Sequence, residues 1–303
     1  MAGPTLKAFR ARLLYRALAA ITFIGKRIPL RIGQRCGRAL GTFAWHVLRR
    51  ERRKALDHIA IAFPEWNEAQ RRATIRRMFQ NFGMTLFEIV WLRKFDHAAR
   101  EQVTIREGFE PLRALLAGGR GVFIVSGHNG NWEWAAQEVA SLGPMAVMQR
   151  DRDDPDMNRF ITELRAGSGI HTIDRGSASS ARELLRELRK GSMLVALLDQ
   201  NIRAESAKVP FFGKPALTPI GIAKLAISTE SAVVPIFDER LDDGRQLVRI
   251  LDPIPAKRGD DPIALTAQIT TIIEQQIRRA PHQWVWMHDR WRERPKWDVT
   301  PSS

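Results

Sequence analysis

The stretch Gly118–Ala140, GGRGVFIVSGHNGNWEWAAQEVA, decides the fold. Val122–Ser126 is an apolar run that stops at Gly127, the pattern of a strand buried on both faces. His128 follows, and Glu133 comes after four more residues. Trp132, Ala135, Ala136 and Val139 then recur at helical spacing. The reading is strand, tight loop, helix, with an imidazole at the strand's end and a carboxylate in the helix's first turn. Open α/β sheets carry their chemistry at that place. An imidazole takes up a proton near neutral pH, and a carboxylate beside it can hold its tautomer and stabilise the imidazolium. With His128 in the loop and Glu133 in the first turn, the two can converge. The spacing alone equally describes a loop histidine near an ordinary helix-start carboxylate.

Working outward, apolar strands alternate with helices on the C-terminal side. The pattern predicts a helix over Phe109–Leu116, a helix over Asn131–Leu142 and a strand over Met145–Met148. A helix over Pro155–Arg165, a strand over Gly169–Ile173, a helix over Ser179–Lys190 and a strand over Met193–Leu198 follow. After a loop through Lys214 come a helix over Pro219–Thr229, strands over Ala232–Asp238 and Leu247–Leu251, and a long helix over Leu265–Arg279. Such alternation indicates an α/β fold with a mostly parallel sheet flanked by helices. On the N-terminal side, residues 1–50 read as two helices broken at Pro29 and Gly33. Another helix runs from Glu51 to Phe63, and a long one, capped by Asn67, covers Glu68–Val90.

Charge narrows the partners. The 303 residues carry a formal net charge of +15, so an anionic partner is expected: nucleic acid, anionic lipid, or an acidic protein or substrate. Residues 1–54 contain fourteen Lys or Arg against one acid, Glu51. Among them lies Leu13–Ile24, LLYRALAAITFI, interrupted only by Arg16 and Thr22. That run falls short of the about 20 apolar residues a membrane-spanning helix wants, and no small-residue cleavage site follows it. A basic, moderately apolar segment suits a helix lying in a membrane interface, so residues 1–45 are read as a membrane-associating region and 46–303 as the body of the protein, helical to about residue 100 and α/β beyond. Nucleic acid is set aside, because no binding motif is present and the charge is densest where the chain is apolar. The single cysteine, Cys36, excludes a disulfide framework and a cysteine-cluster metal site. No metal-binding His-Glu-x-x-His box, Walker loop or Gly-x-Ser-x-Gly elbow occurs, and Gly118, Gly119 and Gly121 precede their strand, unlike a Rossmann fingerprint.

Several motifs fall together in a consistent order. HNGNWE (His128–Glu133) is a His-x4-Glu box. IAFPE (Ile61–Glu65) follows the charged ERRKAL; Arg165 precedes Gly167 and Gly169; Asp199–Gln200 closes KGSMLVALL; VPFFG spans Val209–Gly213. The end, WVWMHDRWRERP (Trp284–Pro295), has the form Trp-x-Trp-x-His-x-Arg-Trp. Over roughly residues 45–297 the chain resembles the lauroyl/myristoyl lipid A late acyltransferases, a lysophospholipid acyltransferase-like family.

The resemblance implies a glycerolipid acyltransferase-like fold and an O-acyltransferase that moves a fatty acyl chain from acyl carrier protein, or acyl-CoA, to a hydroxyl of a lipid A precursor. The acceptor attacks the thioester directly, with no enzyme nucleophile, cofactor or metal. It implies His128 as general base and Glu133 as the residue that orients it. Oxyanion or substrate support falls to Arg165, to Asn131 with the Gly127–Asn131 backbone, and to Asp199, either as acceptor positioner or paired with Arg165. Arg150 and Asn158 resemble polar positions after the second strand, although Gln149 stands where the family has an aromatic. Phe211–Phe212 are core or line the acyl entrance, Trp284, Trp286 and Trp291 lie at a membrane interface or in the core, and His288 and Arg290 pack the tail. The implied partners are acyl carrier protein, anionic membrane lipid and the glycolipid acceptor, at the cytoplasmic face of a bacterial inner membrane. The same chemistry on another glycolipid or a lysophospholipid is the nearest alternative, and a non-catalytic basic membrane- or nucleic-acid-binding protein a distant one.

Overall fold

Every residue of Val122–Ser126 is buried, and this strand, β2, lies inside a seven-stranded sheet. A computed structural model describes residues 28–92, 97–149, 155–174 and 180–300. The sheet runs β1 (Thr104–Glu107), β9 (Gln246–Ile250), β8 (Val233–Arg240), β2, β5 (Met193–Leu197), β3 (Met145–Gln149), β4 (Ile170–Asp174). From β8 to β4 all neighbours are parallel; β9 runs antiparallel to β8, and β1 is parallel to β9. The mostly parallel α/β sheet expected from the sequence is therefore present.

Successive residues of β2 feed opposite faces, as strand periodicity demands. Phe123 and Val125 join one core with Ile269, Ile273 and Ile277 of the helix Pro262–Arg279. Val122 and Ile124 join the other with Trp134, Ala135 and Val139 of α6 (Trp132–Ala140). The parallel strands are linked through α6, α7 (Pro155–Ala166) and α8 (Ser180–Arg189). Short α4 (His97–Glu101) and α5 (Phe109–Ala117) flank β1, while α9 (Gly221–Thr229) precedes β8. The helix Pro262–Arg279, α10, starts three residues before the expected Leu265, because Asp261 accepts from the Ile263 and Ala264 amides and Pro262 suits the first turn.

The described N-terminal part is helical: α1 (Leu30–Val47), α2 (Arg49–Ala62) and α3 (Glu68–Leu92). Asn67 does cap α3, in a reciprocal box with Gln70. Gly33 does not interrupt its helix. It lies within α1, buried, with room for a Cβ 3.5 Å from Phe87. Gly37 and Gly41 explain why α1 and α3 meet backbone to backbone: a Cβ on Gly37 would sit 2.5 Å from the Gly83 oxygen, and one on Gly41 would sit against the Phe79 oxygen. The apolar run Leu13–Ile24 lies outside the described residues, as do Arg150 and the Ser179 cap position.

One segment read as loop is a hairpin. β6 (Ser206–Phe211) and β7 (Lys214–Pro219) pair antiparallel, with Pro210 opposite Pro215. Phe212 (φ 51°) and Gly213 (φ 69°) form the two-residue turn in the left-handed region such hairpins require. Phe211 and Phe212 are both buried in the core, so they do not line an entrance.

Candidate active site

The strand register brings the first two groups together. β2 and β5 are parallel neighbours paired Ser126↔Leu197, and the Leu198 amide donates to the Ser126 carbonyl at 3.0 Å. His128 and Asp199, each two residues past those partners, therefore leave the sheet at one level. The Asp199 carboxylate accepts three hydrogen bonds of 2.7 Å: from the His128 ring at Nδ1, from the His128 amide, and from the Trp284 indole. Gly127 allows this approach, since a Cβ there would lie 3.3 Å from the Asp199 carboxyl carbon and 2.7 Å from Asn129 Oδ1.

Asp199 is 1% exposed. Burial by itself raises its pKa, but the charge of His128, its two hydrogen bonds and the Trp284 donor outweigh that and bring it down to about 2. An ionised carboxylate only accepts, so Nδ1 is the donor in this contact. The Trp132 ring meets the imidazole edge-on at 4.9 Å. The same Trp132 closes an apolar pocket with Ile124, Ala135, Met145 and Leu197.

Glu133 is not the carboxylate on His128. Its two oxygens accept from Arg165, from Nη2 at 2.5 Å and from Nε at 3.1 Å, a fork-on-carboxylate pair. Arg165 Nη1 also donates to Gln149 Oε1 at 2.7 Å, at the end of β3. Both members of the pair are buried. The expected His128–Glu133 contact is thus replaced by two parallel pairs, His128–Asp199 and Arg165–Glu133, and Asp199 is not the partner of Arg165. Asn158 lies half-buried on α7.

Asn131 turns away from the substrate role expected of it. It is fully buried and caps α6, accepting from the Trp134 amide. Its side-chain nitrogen donates to Glu88 Oε2 at 3.1 Å, and its amide donates to Asp238 Oδ2 at 2.7 Å. The Gly130 amide donates to the Gln283 carbonyl. The amides of His128, Gly130 and Asn131 are therefore all consumed inside the protein, which removes them as oxyanion donors. Of the first-turn amides of α6, which a helix leaves without intrahelical partners, that of Trp134 is taken by the Asn131 cap, so the Trp132 and Glu133 amides are the candidates there.

Behind this loop is a polar layer the sequence reading missed. Glu88 on α3 and Arg240 on β8 form a buried double contact, at 2.7 and 2.5 Å. Gln34 of α1 donates to Glu88, while Arg240 also reaches Asn81 and Thr85. Burial pushes the Asp238 carboxyl well above the usual range, against the opposing Asn131 amide and Arg240 charge. The available signal was an acid inside the apolar run LFEIVWL and an arginine ending a strand. On the far side of α6, buried Glu138 meets Arg100 at 3.0 Å and Arg106 at 2.8 Å.

The tail closes over the site. Trp284 and Trp286 are in the core, not at an interface. His288 Nε2 accepts from the Asn201 amide at 2.9 Å; the Asn201 side chain donates to the Arg292 carbonyl and accepts from Arg294 Nε. Buried Arg290 holds the Leu217 carbonyl and the Thr218 hydroxyl. Among the described residues no group of three His, Cys, Asp or Glu side chains is placed to hold a metal ion.

A strand-end histidine paired with a buried carboxylate thus stands next to an apolar slot. Comparison with known proteins makes the class definite. The family of bacterial lipid A biosynthesis acyltransferases matches residues 6–293, and the chain belongs to that family. It is an enzyme of acyl transfer. It is 28% identical over 276 residues to the lipid A biosynthesis lauroyltransferase of Escherichia coli (strain K12), covering 89% of this chain and 88% of that one. It is 27% identical over 222 residues to a phosphatidylinositol mannoside acyltransferase of Mycobacterium tuberculosis (strain ATCC 25618 / H37Rv), covering 70% and 68%. The crystal structure of a 1-acyl-sn-glycerophosphate acyltransferase from Thermotoga maritima is similar at 15% identity with a TM-score of 0.40, covering 84% of this chain and 99% of that one.

Proposed function

We propose that the protein transfers a fatty acyl chain from an acyl carrier protein thioester to a hydroxyl of a lipid A precursor, with His128 as general base. The observation that carries this is the His128–Asp199 pair, in which Nδ1 donates to a buried anion that fixes the ring, so that Nε2 is the nitrogen assigned to the acceptor hydroxyl. Nε2 takes the acceptor hydroxyl's proton as that oxygen attacks the thioester carbonyl. The carbon–sulfur bond of the tetrahedral intermediate then breaks, and the departing thiolate takes the proton back from the imidazolium. Asp199 stabilises the imidazolium formed between the two steps. Glu133 acts through Arg165: it fixes the guanidinium, whose two uncommitted N–H groups support the carbonyl oxygen as it becomes negative. Asn158 and Arg150 contact the acyl donor or acceptor in this reading, and the thioester is the sole co-substrate, acyl-CoA being the other donor of the same chemistry. The pocket beside Trp132 gives the acyl chain an apolar start.

The same reading places the enzyme on the cytoplasmic face of a bacterial inner membrane through residues 1–45. Its support in the described part is the outward side of α1, where Ile32, Leu40, Phe43 and Val47 are exposed beside Arg31, Arg35 and Arg38. No helix of the described residues is long and apolar enough to cross a membrane.

The test is an acyltransfer assay with acyl carrier proteins of defined chain length against lipid A precursors and a mannosylated phosphatidylinositol, read by mass spectrometry. Transfer to a lipid A precursor, abolished in His128→Ala with the fold intact, supports the proposal. Retained turnover in that variant removes the base. Transfer to the mannolipid alone moves the acceptor to the chemistry of the mycobacterial relative.

A further inference from the structure

Asp199, Gln200 and Asn201 form the turn that follows β5, and four contacts from one tail segment hold it. Trp284 donates its indole N–H to Asp199 Oδ2 at 2.7 Å. His288 accepts from the Asn201 amide at 2.9 Å, the Arg292 carbonyl accepts from the Asn201 side chain at 2.5 Å, and Arg294 donates to the same side chain at 2.9 Å. Trp284 also bridges to Asn129, the residue after His128. The segment therefore touches both loops that carry the reacting pair.

We infer that Trp284, His288, Arg292 and Arg294 together clamp the Asp199–Asn201 turn and so set the His128 tautomer, with Trp284 and His288 as positioning residues. The clamp works through Asp199. A carboxylate accepting from one ring nitrogen and one amide can still rotate; the indole donor and the fixed Asn201 amide remove that freedom. Held so, Oδ1 faces Nδ1, and the ring keeps its proton there rather than on Nε2, where an acceptor hydroxyl needs a lone pair.

His288 suits its part only as the neutral form, because an imidazolium Nε2 has no lone pair to offer the Asn201 amide. Burial, with the nearby His128 and Arg290 charges, lowers its pKa to about 4, against the opposing effect of Asp199 and Asp289. The inference rests on the reading of His128 as base, but its signature is visible without turnover.

The experiment is long-range proton–nitrogen NMR of the full-length enzyme labelled with 15N-histidine, with His128 assigned by its loss in His128→Ala. Wild type should show one His128 tautomer, protonated at Nδ1. Trp284→Phe keeps an aromatic ring but deletes the donor, and His288→Ala deletes the acceptor. Both should show a mixture with the Nε2-protonated form and lose about tenfold or more in kcat with KM within twofold. His288→Gln, which restores an acceptor, should recover the single tautomer. Trp291→Phe is the packing control: its indole donates to the Phe211 carbonyl at 3.3 Å, away from the turn, and the tautomer should not change. An unchanged tautomer in Trp284→Phe and His288→Ala overturns the clamp, as does an equal shift in Trp291→Phe. If the tautomers behave as expected while His128→Ala still turns over, the clamp stands and the base assignment fails.

Discussion

Asp199 holds a negative charge in a nearly dry site, and its three donors are what make that tolerable. Replacing it by Asn keeps the shape but offers an amide whose N–H₂ can turn toward Nδ1 and force the proton to Nε2. Asp199→Asn should lower kcat on the order of 10³- to 10⁴-fold with substrate binding retained, measured by steady-state kinetics. Glu133→Gln removes the charged half of a buried pair and leaves Arg165 uncompensated. It should lower the unfolding free energy by about 3 kcal/mol and also reduce kcat, which urea denaturation and kinetics measure separately. If Glu133 acted on His128 directly, this variant would disturb the His128 tautomer; here it leaves the ring paired with Asp199. Both carboxylates were legible in the sequence as residues at element ends. Which one meets His128 was not, because that depends on β5 inserting between β2 and β3, and strand order is a tertiary choice.

At the scale of elements, the strand–loop–helix around His128 was readable nearly to the residue, because burial on both faces and a capped amphipathic helix leave local signatures. The β6–β7 hairpin was not readable. Its three prolines argue against a strand in a sheet interior, yet a two-stranded pair has free edges where a missing N–H costs nothing. The α1–α3 crossing was misread at Gly33 for a related reason: one glycine signals a break, whereas a spaced series facing another helix signals close packing. The glycines differ in a testable way. Gly41→Ala should destabilise by about 1–3 kcal/mol, since its Cβ would collide with backbone that has no room to yield. Gly33→Ala meets only ordinary contact distance and should be neutral or stabilising by up to about 1 kcal/mol. Thermal melts of the two variants settle the comparison; equal losses would contradict it.

Over the whole molecule, the Glu88–Arg240 pair joins three parts that are far apart in sequence: the α1–α3 pair, the sheet and the loop that carries His128 and Asn131. Glu88→Ala should cost about 3–5 kcal/mol, because Arg240 is then buried without its counter-ion, and the Asn131 cap loses an acceptor. A urea midpoint unchanged in that variant would deny the network its role. Stability should also depend on pH in a defined window. Burial, with Arg77 nearby, lowers His282 to about 4, and His288 behaves alike, so the folded chain resists protons that the unfolded chain accepts near 6.5. That contribution is complete above about pH 6.5 and is lost as pH falls toward 4. Asp199 extends the loss from its ordinary 3.8 toward 2. The raised Asp238 carboxyl acts in the opposite sense over the same range, so the check is a difference: between pH 7 and pH 4, His282→Gln should lose less Tm than the wild type.

Synthesis from the N-terminus gives the tail contact a consequence in time. The sheet strands and His128 leave the ribosome well before the indole that completes their carboxylate's shell, with 71 residues separating His128 from Asp199 and 85 more separating Asp199 from Trp284. Contacts of such long range form late, after the loops between them have closed. A nascent chain can therefore have its sheet in place while Asp199 still lacks its third donor. On the proposed clamp, acyl transfer begins only when this last segment docks.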